Sequence, residues 1–128
     1  MDQKFVYFDR WGDVPITLDS RAVAVFTEGN CGALAYAVNF LTGWQIIISN
    51  KHAANRTPAG QVLDITGCQT LKSFEYNWGK SRVVSRNSKQ LLDYGVNEWR
   101  AALPFAKLLL QKYFPEHAPR QSKINELT

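Results

Sequence analysis

The sequence predicts one α+β domain in which an early helix packs on a small antiparallel sheet and a longer helix follows. Three observations carry that expectation. Cys31 to Leu41 sets apolar residues at Cys31, Leu34, Ala35, Val38 and Leu41, the spacing of one helical face. Trp44 to Thr66 then holds three β-rich runs separated by turn residues. Glu98 to Phe114 returns to helical spacing, with Trp99, Ala102, Leu103, Ala106, Leu110 and Tyr113 or Phe114 on one side.

Taken in order, Lys4 to Trp11 is aromatic and β-branched and is closed by Gly12-Asp13 and Pro15, so it predicts an N-terminal strand. Leu18 to Phe26 fits a short helix capped by Asp19 or Ser20, or else a strand from Ala22; the helix is preferred. The helix from Cys31 begins after the polar break Thr27 to Asn30 and stops at Gly43, a residue suited to a helix C-terminus. Ile46, Ile47 and Ile48 in succession predict a central strand buried on both faces. His52 to Arg56 and Gln61 to Thr66 complete a three-stranded meander around the turn Thr57 to Gly60. Beyond Gly67, Gln69 to Tyr76 reads as a helical turn, Arg82 to Ser85 as a strand and Ser88 to Tyr94 as a helix stopped by Gly95. Pro104 falls in the first turns of the last helix and Pro115 ends it. Residues 1–116 thus form one domain, and 117–128 a polar, frayed tail that carries a solvated His117.

Bulk properties narrow the function classes. A chain of 128 residues with 45% hydrophobic and 20% charged residues can build one core. Its net charge of +4 is mild and lacks a dense basic stripe, so nucleic-acid binding through Lys80, Arg82, Arg86 and Lys89 is the weaker reading against a solvated face. The start, Met1 to Lys4, has no basic segment leading into a long apolar one, and no apolar run approaches the roughly 20 residues of a membrane span. A soluble, cytoplasmic protein without membrane contact is expected. Cys31 and Cys68 are the only cysteines and read as free thiols; neither a disulfide, a metal site nor a cofactor is expected.

Chemistry concentrates at three residues. A thiol attacks an acyl carbon as thiolate, a form favoured at a helix N-terminus and beside an imidazolium, and Cys31 opens the most regular helix. His52 opens the strand after the isoleucines, and Asp64 follows one hairpin later, where it can orient the imidazole. The order is nucleophile, base, orienter. Asn30 or Gln45 could add a side-chain amide for an oxyanion; Trp44 and Gln69 are candidates for the wall of a substrate groove. The opposing reading makes Cys31 a core residue, His52 a locally satisfied polar group and Asp64 a turn cap, with Trp11, Trp44, Trp78 and Trp99 as core unless one near the site walls a groove.

The stretches GNCGALAYAVNFLTGW and KHAANRTPAGQVLDITGCQTL resemble short papain-like and transglutaminase-like proteins of bacteria and phages. The likeness runs from Gly29 to Gln69: a Cys-Gly helix ending in Leu-Thr-Gly-Trp, a His strand, a turn at Pro58 to Gly60, and Leu63 to Gly67 with Gln69 beyond. It implies a papain-like/transglutaminase-like core with a Cys31-His52-Asp64 triad and, as its activity, hydrolysis, deamidation or acyl or amine transfer on a protein or peptide. Ala59 stands where the family pattern has Asp, and the short stretch between Cys31 and His52 leaves little room for an elaborate cleft. The second class of function is therefore a binding module on the same core, without turnover, acting as an inhibitor or adaptor of a host or competitor protein.

Overall fold

The computed structural model describes residues 3–117. Met1, Asp2 and nearly all of the expected 117–128 tail lie outside them; His117 closes a short 3-10 turn, Pro115–His117.

The chain begins with a hairpin, strand β1 (Phe5–Phe8) against strand β2 (Gly12–Pro15). The single strand expected from Lys4 to Trp11 is thus cut at Phe8. Gly12-Asp13 is the start of the returning strand and does not merely close the first. Helix α1 (Ser20–Thr27) follows, its N-terminus capped by the Asp19 carboxylate, which accepts from the amides of Arg21 and Ala22.

Helix α2 (Cys31–Thr42) ends at Gly43, whose φ of 80° is the left-handed conformation that glycine adopts without steric cost. Strands β3 (Gln45–Ile48), β4 (Ala53–Arg56), β5 (Val62–Asp64) and β6 (Gly67–Gln69) make an antiparallel meander, and β7 (Arg82–Val84) returns to the free side of β3. The order is β6-β5-β4-β3-β7. The third strand is shorter than expected: it stops at Asp64, turns through Ile65-Thr66 and comes back as β6 from Gly67. Helix α3 (Leu71–Trp78) lies between β6 and β7, and α4 (Trp99–Tyr113) completes the domain. The helix expected over Ser88 to Tyr94 is a 3-10 helix, Lys89–Tyr94, capped by the Ser88 side chain and ended by Gly95.

Pleating explains the three isoleucines. Ile46 and Ile48 pack with Ala35 of α2, while Ile47 packs with Ala54, Val62 and Phe74 of α3. Helices therefore cover both faces of β3, and each fully buried isoleucine contributes roughly 1.5–3 kcal/mol. Behind α2 the largest apolar cluster joins it to α1, α4 and the first hairpin, with Phe8, Phe26 and Phe105 in edge-on or tilted ring contacts. One polar tie sits in this packing. Asn55, buried on β4, donates its side-chain amide to the Ala35 carbonyl at 2.9 Å and so fixes α2 against the sheet.

Candidate active site

Three local structures bring the site together. Cys31 is the first residue of α2; its amide and that of Gly32 precede the first bonds of the helix, which Ala33 and Leu34 donate to the Asn30 carbonyl. His52 ends the tight turn between β3 and β4. Its amide donates to the Ser49 hydroxyl at 3.1 Å, and its carbonyl accepts from the Ser49 amide at 2.9 Å. The backbone of His52 is thus held from both sides by one buried serine. Asp64 ends β5, and the pairing of Asn55 with Leu63 and Arg56 with Val62 sets it opposite Ala54. His52, two residues before Ala54, is its diagonal neighbour on the same side of the ladder, within reach of a long side chain.

His52 Nε2 and Asp64 Oδ2 are 2.9 Å apart, with the imidazole 0% and the aspartate 4% exposed. The other carboxylate oxygen accepts from both the amide and the hydroxyl of Thr66, and the Gln69 side-chain amide lies 3.5 Å from Oδ2. The carboxylate is therefore fixed before it meets the ring. Trp78 stacks on the imidazole, with centroids 4.3 Å apart and planes 26° from parallel, and Phe74 flanks it at 5.8 Å.

Burial opposes charge on His52, yet the hydrogen bond with Asp64 and the proximity of the Cys31 thiol outweigh it and raise the pKa from 6.5 to about 9. Burial likewise opposes charge on Asp64, but His52 and Thr66 hold its carboxyl below the ordinary 3.8. At neutral pH the pair is an imidazolium and a carboxylate. His52 Nδ1, on the other edge of the ring, is buried and has no hydrogen-bond partner. The Cys31 thiol stands close enough to the ring to favour its charged form. Such an orphaned atom costs about 1–3 kcal/mol, so it calls for a reason.

The remaining candidates divide. Asn30 sits beside Cys31 and donates one of its two amide N–H groups to Glu98 at 3.1 Å, which fixes the direction of its side chain. Gln45 pairs with Arg56 at the far end of β3, a helix length from Cys31, and takes no part in the site. Trp44 lies at that same end, 8% exposed and edge-on to Phe114; it lines a surface cavity with Gln45, Arg56, Thr57 and Pro58, away from Cys31. Gln69 is near the site through Asp64. Cys68 is partly buried, and burial raises its thiol pKa.

Sequence reasoning placed Trp78 in the core and gave Phe74, Thr66, Ser49 and Tyr94 no part in the site; Trp78 and Phe74 both flank the imidazole. These two stand four residues apart, the spacing of one helical face, but the helix expected there stopped at Tyr76 and left Trp78 outside it.

Among the described residues no group of three or more His, Cys, Asp or Glu is arranged to hold a metal ion, and no helix is long and apolar enough to cross a membrane. No family model, curated protein or solved structure matches the chain.

Proposed function

We propose that the protein has a papain-like or transglutaminase-like core and carries out thiol-dependent acyl chemistry on a protein or peptide, with Cys31 as nucleophile, His52 as proton carrier and Asp64 as orienter. One observation carries this reading: a fully buried imidazole is charged by Asp64 on one edge and left unpartnered on the other, beside a cysteine that opens a helix. Most buried polar groups of a purely structural role are satisfied.

In this mechanism the Cys31 sulfur, as thiolate, adds to the substrate carbonyl carbon, and the carbonyl π pair moves onto oxygen. That oxyanion forms near the opening amides of α2, which are oriented before the reaction begins. The tetrahedral adduct collapses as the bond to the leaving nitrogen or oxygen breaks, and His52 gives its proton to the leaving group. A thioester on Cys31 remains. Water or an amine then adds to it while neutral His52 takes a proton; collapse expels the thiolate and restores the imidazolium. Asp64 keeps the ring in one orientation throughout and keeps its carboxylate. The expected setting is the cytoplasm of a bacterial or phage-infected cell.

The test is alkylation by iodoacetamide near pH 7, followed by peptide mass spectrometry. Cys31 should react faster than Cys68 and should slow in His52→Ala. A Cys31 rate unaltered by His52→Ala would remove the nucleophile–base pair.

The second reading, a binding module without turnover, has one observation in its favour. Cys31, His52 and Asp64 are 4%, 0% and 4% exposed, so the thiol faces no open cleft.

A further inference from the structure

The segment that closes the thiol off is Ser88 to Glu98, two 3-10 helices joined at Gly95. Leu91, wholly buried, and Val96 lie in one apolar cluster with Cys31, Ala35, Ile46, Ile48 and Ala53; Tyr94 packs against the same cluster. The backbone of the segment rests on the first turn of α2. A methyl group placed on Gly32 would come within 2.7 Å of Tyr94 Cβ and 2.8 Å of the Tyr94 carbonyl oxygen. One placed on Gly95 would come within 2.2 Å of the Gly29 carbonyl oxygen. Cys31 itself is 4% exposed.

Its attachments are few and distinct. The Tyr94 hydroxyl donates to the carbonyl of Ser49, the residue that also pins the His52 backbone. At the C-terminal end Glu98 accepts from the Asp9 amide and the Asn30 side chain. Between them Gly95 holds a φ of 72°, a left-handed value that glycine reaches and leaves without steric cost. Short 3-10 helices have poorer hydrogen-bond geometry than α-helices and open at lower free energy than the packed core.

We propose that Ser88 to Glu98 is a lid over Cys31, latched by the Tyr94 hydroxyl on Ser49 and seated by Leu91 and Val96 in the space a substrate would take. The proposal rests on the acyl-chemistry reading for its purpose, though not for its test. With the lid raised, the floor beside the sulfur is Ala35, Ile46, Ile48 and Ala53, all apolar. The substrate class that fits is an acyl group carrying an aliphatic side chain of about leucine size, which replaces Leu91.

The experiment measures iodoacetamide alkylation of Cys31 in the full chain for wild type, Tyr94→Phe and Gly95→Ala, with urea added below the unfolding transition. Tyr94→Phe removes the latch and should raise the Cys31 rate roughly 2- to 10-fold, the value of one net hydrogen bond. Gly95→Ala, which forces a methyl group against Gly29, should raise it too. Both increases should depend weakly on urea, because a lid exposes little surface, whereas global unfolding would give the steep dependence of the whole domain. Unchanged Cys31 rates in both variants, or increases that follow global unfolding, would overturn the lid. Of two chloromethyl ketones, the one with a leucyl side chain should label Tyr94→Phe faster than the one with an aspartyl side chain; equal rates would overturn the aliphatic seat. His52→Ala in the Tyr94→Phe background reports separately: an unaltered Cys31 rate there defeats the acyl reading and leaves the lid standing.

Discussion

His52 and Asp64 form a charged hydrogen bond of 2.9 Å inside the protein, and each is charged there because the other is. The raised pKa of His52 means its stabilisation is complete below the unfolded value of 6.5 and is lost as pH rises through about 9. The lowered pKa of Asp64 means its stabilisation is complete above 3.8 and is lost as pH falls through the folded value. Urea unfolding should therefore give a midpoint that is highest between about pH 4 and 6.5 and declines towards pH 9. The alkaline decline should flatten in the His52→Ala, Asp64→Ala double variant. An equally steep decline in that variant would assign the loss to other groups.

Single replacement of His52 should be far more damaging than replacement of Cys31. His52→Ala leaves a buried carboxylate without its counter-charge, a change that costs about 3–5 kcal/mol. Cys31→Ala removes one small apolar contact and should cost about 1 kcal/mol. Equilibrium unfolding at pH 6 measures both. Cys31→Ala should also abolish acyl transfer or the associated biological effect, and full retention of that effect would leave the binding module as the function.

Trp78 covers the imidazole face, so Trp78→Ala should open His52 to water and reduce the penalty that burial places on its charge. An NMR titration of the His52 ring should then show a changed pKa together with faster solvent exchange. Trp78→Phe retains a stacking surface and should lie close to wild type. Identical His52 titrations in Trp78→Ala and wild type would make the tryptophan a packing residue alone.

What the sequence reveals of this architecture follows the range of the interactions. Helix α2 is plain from its period and from Gly43, and the triple isoleucine discloses a strand covered on both faces, because these patterns are local. The closeness of His52 and Asp64 is legible because one hairpin fixes their register. Gly12 and Gly67 mislead, since a glycine that ends one strand equally begins the next when the turn is tight. Trp44 and Gln45 are close to Cys31 only along the chain; a straight helix of 12 residues carries them to the opposite end of the sheet. The cover over Cys31 from Leu91, Tyr94 and Val96 is a contact between residues some sixty positions apart, and no local period encodes it.

The charge on His52 also makes a prediction about Cys31 that separates a working pair from a buried contact. With the imidazolium present, the thiolate has a counter-charge beside it; when His52 loses its proton near pH 9, that support disappears. The rate of Cys31 alkylation should therefore change as His52 titrates, with a step near pH 9. His52→Ala should abolish that step. Asp64→Asn keeps the size of the side chain but supplies no charge, so it should move the step downwards, towards the ordinary histidine range. The comparison is made with Tyr94→Phe in every background, so that opening of the lid does not limit the rate. The same profile in all of them would mean that the thiol does not respond to the charge of the ring.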